Sequence, residues 1–64
     1  MGGWVIAFDS QDGATWYLME NHDSCTEDIN DAAVFDSTTE AQMYAVNGER
    51  LVRVNWAPKK VTVV

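Results

Sequence analysis

The stretch HDSCTED, residues 22–28, holds the chain's one histidine and its one cysteine three positions apart, with Asp23 and Glu27 close by. Imidazole and thiolate are donors that zinc prefers, so His22 and Cys25 could open a metal site. A closed tetrahedral site takes four such donors, and no second His or Cys exists to complete it. An ordinary polar loop accounts for the pair better, and only a site shared between two copies would revive the metal. As nucleophile and base the two are equally poor, because a loop supplies neither a third group to orient the imidazole nor a pocket for a substrate. The segment DSQDGATWYLME invites a calcium-loop reading through Asp12 and Gly13. With Gly13 at the sixth loop position, Phe8 falls at the first and Met19 at the twelfth, where carboxylates are required. No glycine-rich phosphate loop occurs, and so short a chain encloses little volume for a small-molecule pocket. The residues therefore assign no catalytic group, no metal and no cofactor, which leaves binding.

Charge is the stronger signal. All ten acidic residues lie at or before Glu49, and all four basic ones, Arg50, Arg53, Lys59 and Lys60, lie after it. Asp9, Asp12, Glu20, Asp23, Glu27, Asp28, Asp31 and Asp36 crowd into one stretch of a chain whose net charge is −6. This layout predicts an extended negative field that attracts cationic surfaces and repels phosphate backbones. The eight carboxylates are the candidate contacts to a protein with a basic groove, and direct nucleic-acid binding through the four cations is disfavoured. The plainer explanation, that carboxylates keep a small protein soluble, stands beside it.

Sixty-four residues form a single domain, 1–64, near the lower limit for a core without disulfides or metal. Such a core yields only about 3–5 kcal/mol, so assembly would matter energetically. Trp4, Trp16 and Trp56, with the β-branched residues, argue against intrinsic disorder. A lone cysteine fits a reducing compartment. MGGWVIAFD lacks the basic start and long apolar run of a secretory signal, and Ile6 stands where a myristoylation motif needs Ser or Thr. No run approaches the roughly 18 apolar residues of a membrane span. The expectation is a soluble, intracellular protein.

Two apolar runs rich in β-formers, Gly3 to Phe8 and Ala14 to Met19, are joined by DSQDG and predict a β-hairpin. Glu20 to Asn30 shows neither helical nor strand period and reads as a polar loop. Ala32 to Phe35 is too short to stand alone but can deliver Val34 or Phe35 into a core. Ser37 and Glu40 form an S/T-x-x-E capping box that starts a helix of two to three turns. Ala41, Tyr44, Ala45 and Gly48 supply its apolar stripe, and Asn47-Gly48 its stop. LVRVNW, Leu51 to Trp56, alternates as a half-buried strand, Ala57-Pro58 breaks it, and VTVV is a fourth edge strand or a tail. The fold class is α+β: a small antiparallel sheet of three to four strands with one short helix packed on one face, in the order β-β-α-β.

Both faces of the hairpin are apolar, while one short helix covers one side of a sheet. Either the loop Glu20 to Asn30 folds over the other side, or that side is a homodimer or partner interface anchored by Trp4, Trp16 and Tyr17.

The whole arrangement, WVIAFDSQDGATWYLMENHD, DINDAAVFDSTTEAQMYAVNG and LVRVNW, resembles small phage and prophage proteins of β-β-α-β type. These carry a D-A-x-x-F-x-[ST]-x-x-E-A lead-in to the helix, matched here by Asp31, Ala32 or Ala33, Phe35, Ser37, Glu40 and Ala41. The resemblance implies a viral or mobile-element origin and the cytoplasm of a bacterial host, and it brings no active site. Small acidic phage proteins include inhibitors of host defence, anti-CRISPR proteins among them, that occupy nucleic-acid-binding grooves. The resemblance thus implies a stoichiometric inhibitor of a host protein with a basic groove, such as a CRISPR effector. The alternative is a structural module that homo-oligomerises through its apolar sheet face.

Overall fold

The Gly3 to Phe8 run becomes the centre of the molecule. In the computed structural model, which describes residues 1–21, 23–45, 49–57 and 60–64, it extends to strand β1, Gly2–Asp9. The other strands are β2 (Thr15–Leu18), β3 (Cys25–Thr26), β4 (Arg50–Ala57) and β5 (Lys60–Val63). They form one antiparallel sheet in the order β3-β2-β1-β4-β5. The sheet has five strands, more than the three to four expected: the polar loop contains β3, and VTVV is a true edge strand. Between β3 and β4 come a 3₁₀ turn, Ile29–Asp31, and the helix α1, Thr38–Tyr44.

Ladder partners share a face. The registers Trp4 with Arg53, Ile6 with Leu51 and Phe8 with Trp16 define one side. Val5 with Val52, Ala7 with Tyr17, Gly3 with Val54 and Trp56 with Val61 define the other. The first side holds a core of Ile6, Ala33, Phe35 and Ala41, with Trp4, Leu18, Ala45 and Leu51 packed around it. The second holds Val5, Ala32 and Val54, surrounded by Tyr17, Ile29, Val34, Val52 and Val61.

Ala32 to Phe35 takes part in both cores. β2 pairs with β1 only from Ala7 to Asp9, so the Gly2 to Ile6 part of β1 has a free edge on that side. The segment fills the gap. Phe35 N–H donates to Trp4 O and Trp4 N–H to Phe35 O, both at 2.8 Å, while Ala33 N–H donates to Leu18 O at 2.9 Å. With its backbone in the plane of the sheet, its side chains alternate: Ala33 and Phe35 enter the first core, Ala32 and Val34 the second. Of the two alternatives for the second face, cover by the chain itself and an interface, the first is seen in Ile29, at the end of the loop, with Ala32 and Val34 after it. Ile29 of the 3₁₀ turn and the side chains of Ala32 and Val34 pack on the second face, which is why both sides of the hairpin can be apolar.

The helix begins where the capping box places it, with Ser37 as N-cap accepting the Glu40 amide at 3.2 Å. It is seven residues long, too short to persist in isolation, and it lies on β1 and β4 with Ala41 fully buried. Tyr44, of the expected apolar stripe, is exposed and stacks on Phe35 at a ring distance of 5.4 Å. The proposed stop at Asn47-Gly48, the stripe position Gly48 and the break at Pro58 lie outside the described residues.

Gly3 leaves no room for a side chain. A Cβ there would sit 2.5 Å from Val34 Cγ1 and 3.1 Å from Phe35 O, whereas one on Gly2 would meet nothing within 4 Å. Gly3→Ala should therefore lower stability by about 1–3 kcal/mol, the usual cost of overpacking, and Gly2→Ala should change it little. Urea titration of the two variants measures this; equal midpoints would contradict the close packing. Ser37→Ala should cost about 1 kcal/mol by the same measurement, through loss of the helix cap.

Candidate interaction surface

The carboxylates fall into separate groups. Asp9, at the end of β1, accepts from both Arg50 Nη1 at 3.0 Å and Arg50 Nη2 at 3.2 Å, and from Thr15 Oγ1 at 2.9 Å. The charge separation of the sequence is thus partly undone: antiparallel pairing of β4 with β1 carries the first cation back to the first carboxylate. Both partners are more than half exposed, so the pair contributes little to stability.

Asp12 sits in the β1–β2 turn, where Gly13 takes the left-handed conformation at φ 90°. Ser10 Oγ and the Ala14 N–H both donate to Asp12 Oδ1. Its pKa is lowered, first by the Ser10 hydrogen bond and then by the Ala14 amide, because both favour the ionised form.

Glu20, Asp23, Glu27, Asp28 and Asp31 are all exposed and follow one another along residues 20–31, from the end of β2 past β3 to the 3₁₀ turn. Antiparallel β2 places Glu20 at the opposite end of the hairpin from Asp9 and Asp12. Local hydrogen bonds fix the backbone of this arc. Asn21 Oδ1 accepts from the Asp23 and Ser24 amides, Thr26 Oγ1 from the Asp28 amide, and Asp28 Oδ1 caps the 3₁₀ turn through the Asn30 amide. Asn30 Oδ1 then accepts from the Val61 N–H at 2.7 Å, tying the arc to β5. Among the described residues, none of these five carboxylates forms an ion pair with a cation. Asp36 is exposed beside the start of α1.

The expected aromatic anchors are less available. Trp4 and Tyr17 are half-buried against the two cores, and Trp16 is half-buried opposite Phe8. Among the described residues the large exposed apolar side chains are instead Met1, Met43, Tyr44, Val63 and Val64. Sequence patterning missed them because an edge position and the solvent side of a helix are set by long-range pairing. A depression of about 270 Å³ lies between the 3₁₀ region and the β4–β5 hairpin, lined by Glu20, Asn30, Ala32, Val34, Trp56, Ala57, Lys60 and Val61. The Trp56 indole N–H is buried nearby without an acceptor. Since it has essentially no accessible surface, it cannot serve as a donor to a ligand in that depression.

Cys25 is exposed on β3, and His22 lies outside the described residues. Among the described residues no three His, Cys, Asp or Glu side chains are gathered as a metal would need, and no helix is long and apolar enough to cross a membrane. No protein-family model, curated protein or solved structure matches the chain.

A depressed folded-state pKa means stability that is present above the unfolded value and lost as pH falls through the folded one. Removing its cause should reverse the shift. Ser10→Ala should raise the titration midpoint of Asp12 toward that of an ordinary aspartate, read from its side-chain carboxyl resonance; an unmoved midpoint would show that the Ser10 hydrogen bond is not the cause.

Proposed function

We propose that the protein is a non-catalytic, protein-binding inhibitor of phage type, which lays its acidic 20–31 arc against a basic, nucleic-acid-binding surface of a host protein. The observation that carries this reading is the run of exposed carboxylates at Glu20, Asp23, Glu27, Asp28 and Asp31, held on a hydrogen-bonded backbone and unpaired with any described cation. Carboxylates carried on a fixed backbone lose less backbone entropy on binding than those of a floppy tail, so more of their attraction survives as affinity. The contact set narrows from eight candidates to these five. Asp9 is neutralised by Arg50, and Asp12 faces its own turn at the other end of the hairpin.

The bacterial host, its cytoplasm and a CRISPR effector as target rest on the resemblance of DINDAAVFDSTTEA to phage proteins, and the binding mode rests on the arc. Oligomerisation through an apolar sheet face is the weaker reading, because Ile29, Ala32 and Val34 already pack on the face it would use.

Capture of partners from a bacterial lysate, washed at rising ionic strength, tests the mechanism. Glu20→Gln, Asp23→Asn, Glu27→Gln and Asp31→Asn combined, with the capping Asp28 left intact, should release the captured protein at lower salt and weaken binding by roughly tenfold or more. Asp9→Asn with Asp12→Asn should leave it nearly unchanged. Equal loss in both variants would refute the arc as the contact surface.

A further inference from the structure

The acidic arc is not the protein's one unmatched surface. β5 ends the sheet, and two hydrogen bonds give the polarity of its edge. Val64 N–H donates to Arg53 O at 3.1 Å, so the even-numbered amides of this strand face β4. Val61 N–H points the other way and is covered by Asn30 Oδ1. By the two-residue period of a strand, the Val63 N–H also points outward, past the single amide that Asn30 covers. Val63 and Val64 are 53% and 69% exposed. An edge with outward amides and β-branched side chains is a template for another strand.

On the face that Lys60 shares with Arg53, the charge beside this edge is opposite to that of the arc. Arg53, Asn55, Lys60 and Thr62 are exposed and, by register, share one face of β4 and β5. A shallow depression of about 260 Å³ on that face is lined by Met1, Asn55, Trp56, Ala57, Lys60 and Thr62, none of them acidic. Arg53 and Lys60 are the charged side chains on this face of β4 and β5, so on a chain of net charge −6 the charge beside the strand edge is positive there.

We propose that the outer edge of β5 accepts an extended strand from a partner protein, and that this strand carries carboxylates at alternate positions, on the face shared by Lys60 and Arg53. Main-chain pairing at Val63 supplies affinity and the alternating carboxylates supply selectivity, as in other strand additions. A second copy of the chain fits less well, because its own β5 presents Lys60 and Thr62, and no carboxylate, on the face shared by Lys60 and Arg53. A nucleic acid fits less well too: its backbone offers no amide ladder to Val63 and gains nothing from the exposed valines.

The test uses the full chain, ¹⁵N-labelled, titrated with a short peptide of alternating Glu and Val. Amide shifts should centre on residues 60–64, with the Val63 amide slowed in exchange. Val63→Pro removes the outward amide without touching the β4 ladder, and should abolish those shifts while circular dichroism stays unchanged. Arg53→Glu with Lys60→Glu, which decides the matter should the proline variant unfold, should weaken binding by about twofold to thirtyfold, the range for two exposed ion pairs. The proposal is overturned by equal binding of an alternating Lys and Val peptide, by shifts lying elsewhere, by self-association through β5 without peptide binding, or by oligothymidylate taking the site in place of the peptide. Loss of the arc carboxylates should leave this titration intact, so it stands or falls separately from the inhibitor reading.

Discussion

The structure depends on the in-plane passage of Ala32 to Phe35 between β1 and β2. A buried backbone carries donors and acceptors that must be paired, and a chain crossing a sheet ordinarily breaks the ladder it passes through. Here the crossing segment replaces the missing ladder. Trp4 and Phe35 exchange two hydrogen bonds, and Leu18 accepts from Ala33. The pleat then sends Phe35 and Ala33 to one face and Val34 and Ala32 to the other, so four residues contribute to both cores. At this chain length a two-sided core is valuable: burying one Phe side chain is worth about 1.5–3 kcal/mol, a large part of what so small a domain can hold.

The remaining elements inherit their positions from that passage. The chain leaves it at Phe35 and enters the helix cap at Ser37, so α1 has no freedom to choose another face; Phe35 anchors it further by stacking on Tyr44. On the other side the 3₁₀ turn precedes the passage, and its Asn30 reaches the β5 amide of Val61. That bond connects the last strand to the middle of the chain and holds the acidic arc against the sheet. Two unlike surfaces result, a carboxylate arc on residues 20–31 and a face of β4 and β5 whose charged side chains are Arg53 and Lys60. Asn30 stands between them, with its turn on the first and its side chain on the second.

Local physics made several parts legible from the sequence. The hairpin follows from two β-forming runs around a turn with Gly13, the helix start from the Ser37 to Glu40 spacing, and β4 from the alternation of Val52, Val54 and Trp56. Each signal lies within about a turn or a strand length, where neighbouring residues decide. β3 was not legible, since Cys25 and Thr26 have no apolar pattern and owe their strand to pairing with Leu18 and Tyr17. The in-plane passage was half legible. DAAVF announces apolar side chains, yet nothing local says that they part to opposite faces, because that depends on the free edge of β1. The pairing of Asp9 with Arg50 was equally hidden, being set by the β1–β4 register across 41 positions of chain. For the acidic surface, composition gave the sign and rough extent of the field. Only the fold could divide seven of the eight carboxylates between the two ends of a hairpin and set Asp36 beside α1.

Native-state hydrogen exchange at individual amides tests the central claim most directly. If the passage is what holds the two cores together, the Trp4, Ala33 and Phe35 amides should exchange only through global unfolding, with the same opening free energy as the β1–β4 ladder. Exchange of Ala33 and Phe35 through local opening, while the Val5 to Val52 region of the ladder stays protected, would contradict it. The 32–35 segment would then be a loop resting on a sheet that stands without it.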